Sequence, residues 1–176
     1  MSTACYSIVR DIISPAHDRL IAMPSRSAPP PSDDALSLDN FLCFSIYSTG
    51  HAFNQFYRPL LDALGVTYPQ YLVMVALWTA NDQTVKALGE KLSLESSTLT
   101  PLLKRLEAAG YLTRARDPDD ERQVRVRLTA TGRALKSRAR SIPACVGGAL
   151  GLSNEQLKTL QADILSIRDR LLAARP

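Results

Sequence analysis

Residues 99–132 read LTPLLKRLEAAGYLTRARDPDDERQVRVRLTATG, and inside this stretch the spacing of the apolar residues changes from helical to alternating. Leu99, Leu102, Leu103 and Leu106 recur at steps of three and four, which places them on one face of a helix. Gly110 stands where a left-handed residue would cap that helix. After it, YLTRAR (111–116) and QVRVRL (123–128) alternate, with Val124, Val126 and Leu128 on one side and Arg125 and Arg127 on the other. The reading is a two-stranded ribbon with DPDDER (117–122) as its charged tip.

Working outward, the chain reads as helical almost everywhere after its first 35 residues. Upstream, helices are expected over 38–58, 67–80, 84–92 and 95–109. Pro59 disfavours helix at the residue before it, so the first should kink or end at Arg58, while Pro69 fits a first turn. Downstream, one helix is expected from Thr129 to Cys145 and another after Ser153, where S-N-E-Q matches a capping box. In that last helix Leu157, Leu160, Ile164, Ile167 and Leu171 form a seam suited either to a partner helix or to the chain's own core. The fold class is mainly α with a small β-hairpin. A chain of 176 residues has length enough for one well-buried domain.

MPSRSAPPPSDD (23–34) is rich in Pro and Ser and reads as an extended linker. Residues 1–35 are therefore expected to lie outside the fold, and Met23 is a candidate translation start that would remove residues 1–22 from the native protein. Asp11, Pro15, His17, Asp18 and Arg19 interrupt any apolar core of a secretory signal. No apolar run approaches the roughly 20 residues that span a bilayer. Cys5, Cys43 and Cys145 are too few and too scattered for a disulfide scaffold or a zinc site. A reducing cytoplasm, no metal, no cofactor and no membrane are expected.

The net charge of +4 decides little, but its distribution is informative. Between Lys104 and Arg140 eleven Lys and Arg face five Asp and Glu, a local +6 that exceeds the whole-chain excess. Such clustering fits a phosphate-binding face, although a solvated charged surface has the same composition. Helix, short turn, helix and basic hairpin is the order of a winged helix-turn-helix, in which the second short helix enters the major groove of DNA and the hairpin reaches the flanking backbone. Ser96, Ser97, Thr98 and Thr100 at the start of the reading helix are candidate DNA donors, with Lys104 and Arg105 on its exposed side. Alone, such hydroxyls are more often caps. In the wing, Asp120 is expected to hold Arg122 in an extended forked pose, and Arg125 adds a further cation.

These residues resemble the MarR family of transcription regulators, whose wing pattern D-x-R-x-x-x-V-x-L-T is matched from Asp120 to Thr129. Residues 39–80, with LCFSIY, FYRPLL and TYPQYLVMVALW, resemble one branch of it, the OhrR-type sensors of organic hydroperoxides. The resemblance covers about residues 38–172. It implies a dimeric MarR-like domain over 36–176, with 38–66 and 130–174 as dimerisation helices and 67–129 as the winged helix-turn-helix. It also implies that Cys43 is a redox sensor whose sulfur takes hydrogen bonds from Tyr57 and Tyr68.

Tyr47, one turn from Cys43, is a further candidate donor. Tyr57 is fourteen residues away, about 21 Å along a helix, so it meets Cys43 only across an antiparallel dimer or around a sharply broken helix. Hydrogen bonds to a charged acceptor contribute roughly 1.5–3 kcal/mol each. Two phenols would thus favour the nucleophilic thiolate, even if burial among Phe41, Phe44 and Phe56 opposes it. A cysteine on an apolar helix is otherwise most often a small core residue. Cys145 resembles the resolving cysteine of two-cysteine members, reached across the dimer, with a small cellular thiol as the alternative. His51 lies about 12 Å from Cys43 along the same helix, too far for a catalytic pair, and is read as structural or solvent-facing.

The function expected is a homodimeric repressor that holds a double-stranded operator when reduced and releases it when organic hydroperoxide oxidises Cys43. A MarR-type repressor answering a small aromatic or anionic ligand is the alternative. A thiol peroxidase is the third reading, and the basic hairpin gives it no support, so the chain is not expected to be an enzyme.

Overall fold

A computed structural model describes residues 37–174. The expectation for residues 1–35, Cys5 included, lies outside them. The chain divides into two compact units between Arg140 and Ser141.

The first unit opens with a 3-10 turn, Leu38–Asn40, and then α1, Leu42–Asp62. α1 runs through Pro59 rather than ending at Arg58. The proline removes one hydrogen bond, to the Gln55 carbonyl, and an interior proline costs about 3 kcal/mol. Against that, Leu61, Leu64 and Val66 are all buried, and each buried side chain of this kind contributes roughly 1.5–3 kcal/mol. Packing outweighs the local signal.

α2, Tyr68–Thr79, starts as expected: the Thr67 amide donates to Gln70 Oε1 at 2.8 Å, with Pro69 in the first turn. It buries Tyr71, Val73, Met74, Ala76 and Leu77. A two-residue strand β1, Gln83–Thr84, leads to α3, Val85–Leu92, and α4, Ser96–Ala108. The turn between α3 and α4 is tight. A Cβ on Gly89 would lie 2.9 Å from the Leu94 carbonyl oxygen, so only glycine fits that close approach. α4 buries Leu99, Leu103 and Leu106 fully and Leu102 partly, and Gly110 takes the left-handed φ of +75° that its position suggested.

β2, Leu112–Arg116, and β3, Val124–Leu128, pair antiparallel with Leu112 opposite Leu128 and Arg116 opposite Val124. Val126 and Leu128 are buried. The sheet has three strands rather than two, because β1 adds to the outer edge of β3 with Gln83 opposite Val126. Two residues are too few to show alternation in sequence.

α5, Ala130–Ala139, closes this unit, docked where Trp78 Nε1 donates to the Gly132 carbonyl at 2.9 Å. The single helix expected over 129–145 is two. Pro143 has no amide to donate to the Ala139 carbonyl, so it occupies the first turn of a new helix, where no donor is required.

The second unit holds α6, Ile142–Leu150, and α7, Asn154–Ala173, joined through Gly151 at φ +64°. Ser153 forms the capping box read from S-N-E-Q: its amide donates to Gln156 Oε1 at 2.8 Å, and the Gln156 amide donates to Ser153 Oγ at 3.2 Å. α7 buries none of its residues, and Leu160, Ile164, Leu165, Leu171 and Leu172 are exposed. Among the described residues no helix is long and apolar enough to cross a membrane.

Candidate functional site

The start of α4 presents Ser96, Ser97 and Thr98 to solvent and Thr100 in a half-buried position, with Lys104 and Arg105 exposed beyond them. Glu95, not a hydroxyl residue, is the N-cap, and its side chain makes no capping bond. The hydroxyls are therefore not occupied in capping, and among the described residues they form no side-chain hydrogen bond. Beside them a cavity of about 370 Å³ is lined by the apolar Val85, Leu103 and Val124 as well as by Lys86, Arg114 and Arg122 among others. Thr84, Ser96 and Thr100 bring hydroxyls to it, and of its cations Arg114 and Arg122 are paired with Glu107 and Asp120. The N-terminus of α4 adds its partial positive charge there.

Within the wing, Asp120 holds Arg122 as the sequence suggested. Arg122 Nε donates to Asp120 Oδ1 at 3.0 Å and Nη2 to Oδ2 at 3.4 Å, while the Arg122 amide donates to Oδ1 at 3.1 Å. These bonds from Arg122, with one from Gln123, keep the Asp120 carboxyl below its ordinary range. The Arg122 side chain is 91 % exposed.

Arg125, a DNA-binding candidate by sequence, is held by two acids of its own chain. Its Nε donates to Asp82 Oδ1 at 2.7 Å, its Nη2 to the Asp82 carbonyl at 2.9 Å and its Nη1 to Asp117 Oδ2 at 3.1 Å. Arg125 thus braces the wing internally. The Asp82 carboxyl is pushed down by the hydrogen bonds of Arg125 and then Arg127, and that of Asp117 by the Asp119 amide and then Arg125. Arg114 is also engaged, through Nε and Nη2 to Glu107 Oε2 at 2.9 and 2.6 Å, which holds the Glu107 carboxyl low. Sequence reading passed over Asp82 and Glu107. Only the acids of the DPDDER turn were legible there, and nothing local pairs residue 82 with residue 125.

The thiol of Cys43 is free and exposed on the first turn of α1. Leu42, Phe44, Ile46 and Tyr47 around it are exposed as well, Tyr47 at 63 %, so the apolar burial expected around the sulfur is not supplied by the α1 surface. Tyr47 packs edge-on against His51, with ring centroids 4.5 Å apart. At the other end of α1, Tyr57 lies 4.6 Å from Tyr68 and 6.1 Å from Tyr71, again between ring centroids. Burial, then the neighbouring Tyr68 and Tyr71, raises the Tyr57 phenol to about 12. It is a hydrogen-bond donor at every physiological pH. α1 is continuous between Cys43 and Tyr57, so the two residues are about 21 Å apart along its axis. The sharply broken helix is ruled out.

Beside Tyr68 is a cavity of about 560 Å³ lined by Asn54, Arg58, Asp62, Thr67 and Gln70 among others. Cys145, in α6, is buried and disulfide-bonded. No group of three His, Cys, Asp or Glu among the described residues could hold a metal ion.

The sequence profile of the SarA/Rot transcriptional regulators matches residues 55–139. The HTH-type transcriptional regulator TtmR of Methylorubrum extorquens is 49 % identical over 141 residues, which cover 80 % of this chain and 72 % of that protein. The organic hydroperoxide resistance transcriptional regulator of Bacillus subtilis is 44 % identical over 138 residues, covering 78 % of this chain and 94 % of that protein. Among solved structures, reduced AbfR bound to DNA superposes with a TM-score of 0.66 at 38 % identity, over 77 % of this chain and 94 % of that one. AbfR is a protein of Staphylococcus epidermidis, solved also in a disulfide form that matches at a TM-score of 0.56 and 37 % identity, over 74 % and 91 % of the two chains.

Proposed function

The chain belongs to the MarR family of winged helix-turn-helix transcription regulators, beside the organic hydroperoxide resistance regulators, and we propose that it is a homodimeric repressor that releases its operator when Cys43 is oxidised. The observation that carries this reading is the uninterrupted α1, which holds an exposed thiol at one end and a paired set of phenols at the other. Within one chain they cannot meet. An antiparallel pairing of two α1 helices brings Cys43 of each subunit to Tyr57 and Tyr68 of the other, and covers the apolar residues that α1 exposes.

In that arrangement the phenols donate to the sulfur and favour its charged form. The thiolate attacks the O–O bond of an organic hydroperoxide, forming a sulfur–oxygen bond and expelling an alkoxide that takes up a proton as the alcohol. The product is a sulfenic acid. A second thiol then displaces its hydroxyl as water to give a disulfide; a small cellular thiol can fill this role directly, and Cys145 of the other subunit once its own disulfide has been reduced by such a thiol. Oxidation removes the charged acceptor, the tyrosines rearrange, and the two reading heads move apart. A loss of about 2.7 kcal/mol weakens DNA binding a hundredfold.

DNA is held by the α4 hydroxyls Ser96, Ser97, Thr98 and Thr100, by Lys104 and Arg105, and by Arg122 at the wing tip, which Asp120 aims. Arg125 serves the wing from within. Gel shifts with and without cumene hydroperoxide test the reading. Release of wild type but not of Cys43→Ser supports it. Release of both proteins by a phenolic ligand, and of neither by peroxide, points instead to the cavity beside Tyr68 and Arg58 as a ligand site. A non-reducing gel after peroxide, repeated on Cys145→Ser, identifies the resolving thiol.

A further inference from the structure

Asp82, between α2 and β1, has a φ of +62°, a left-handed backbone that aspartate and asparagine tolerate better than other non-glycine residues. From there one carboxylate oxygen accepts Arg125 Nε at 2.7 Å and lies 3.0 Å from Arg127 Nε. Alternation along β3 would send both arginines to solvent; instead both turn onto one acid.

The connection continues into the wing. Arg125 Nη1 donates to Asp117 Oδ2 at 3.1 Å, and Asp117 Oδ1 accepts the Asp119 amide at 3.0 Å. The Asp117 amide donates to the Gln123 carbonyl and the Gln123 amide to the Asp120 carbonyl, each at 2.9 Å. Asp120 in turn grips Arg122. An unbroken line of charge-assisted and backbone bonds thus runs from the junction of the reading-head helices to the tip of the hairpin. Short strand pairing alone would leave the hairpin to twist about its base, because β1 contributes only Gln83 and Thr84 to the sheet.

We propose that Asp82 is the positioning residue of the wing: through Arg125 and Arg127 it fixes the hairpin relative to α3 and α4 and so places Arg122 on the DNA backbone, without meeting DNA itself. This rests on the reading of the chain as a DNA-binding regulator in which Arg122 meets phosphate. It predicts a sign opposite to simple electrostatics. Removing an acid from a DNA-facing surface should tighten binding, since repulsion of phosphate falls; removing a positioning acid should weaken it.

Asp82→Asn retains a residue suited to the left-handed backbone and removes only the charge. Arg125→Met removes the fork and retains the aliphatic stem. Binding of the full-length reduced protein is measured across a KCl series, on a duplex that wild type selects from a random-sequence pool. Both variants are expected to bind about tenfold more weakly, a loss of roughly 1.4 kcal/mol. Their slopes of log affinity against log salt should flatten by as much as in Arg122→Ala, about 0.9 for each phosphate no longer neutralised. Asp82→Asn combined with Arg122→Ala should bind no worse than Arg122→Ala alone. A general loss of folded protein lowers the DNA-competent fraction and leaves the slope unchanged.

Hydrogen exchange on the same variants, without DNA, should show faster exchange at the amides of Asp119, Arg122 and Gln123 and no change in α4. Tighter or unchanged binding, an unchanged slope, additive losses with Arg122→Ala, or unaltered exchange in the wing each overturns the proposal. A wild type that selects no duplex overturns the proposed function instead, and the exchange result alone then decides the role of Asp82.

Discussion

The ring of Tyr57 lies 4.6 Å from that of Tyr68, joining the C-terminal half of α1 to the first turn of α2. Burial and this neighbour raise the Tyr57 phenol to about 12, above the ordinary value of about 10. The folded chain therefore holds its proton more tightly than the unfolded chain does. The stability this confers is complete below about pH 10 and is lost as pH rises through about 12. Tyr57→Phe is expected to flatten the fall in thermal midpoint over that window, read by circular dichroism.

A site built across two subunits makes a sharper prediction for mixed dimers. In a heterodimer of Cys43→Ser with Tyr57→Phe, one site carries both changes and the other neither. Rapid peroxide oxidation should return at about half the wild-type amplitude in stopped-flow fluorescence, although each parent homodimer is slow. If sensing were confined to one chain, the mixture would stay as slow as its parents.

Gly132 and Gly50 offer a paired test of packing. A Cβ on Gly132 would lie 1.9 Å from the Tyr111 carbonyl oxygen, whereas one on Gly50 meets nothing within 4 Å. Gly132→Ala must push α5 off the sheet and should cost about 1–3 kcal/mol. Gly50→Ala, inside α1, meets nothing in its own chain and should stabilise the isolated subunit by roughly 0.5–1 kcal/mol through helix propensity. Urea unfolding of the two variants measures both signs.

The wing's ion pairs set its acid limit. Glu107, held low first by the side chain of Arg114, and Asp82, held low first by that of Arg125, have folded values below those of the unfolded chain. Their contributions are present above the ordinary carboxylate range of about 4 and are lost as pH falls through the lower folded values. Glu107→Gln and Asp82→Asn should therefore melt below wild type at pH 7 and converge with it at acid pH. A gap that persists undiminished at pH 3 would show that these carboxylates act by shape rather than by charge.

Much of this was legible in the residues themselves. The change of apolar spacing at Gly110 located both the reading helix and the hairpin, and D-E-R at 120–122 announced a carboxylate gripping a guanidinium two residues away. Such features are encoded by neighbours. What escaped reading depends on residues distant in sequence: Asp82 with Arg125, the third strand at Gln83–Thr84, and the passage of α1 through Pro59, which burial of Leu61 and Leu64 decides. The division at Arg140 was nonetheless open to inspection, since Pro143 removes a specific amide from any helix that would cross it.

α1 also acts as a ruler. Each residue added between Cys43 and Tyr57 advances the thiol by about 1.5 Å and swings it through about 100°. Point changes along 44–56 leave that geometry alone, while a single insertion or deletion carries the sulfur to another face of the rod. Length, more than composition, is what evolution or an engineer must preserve in this segment.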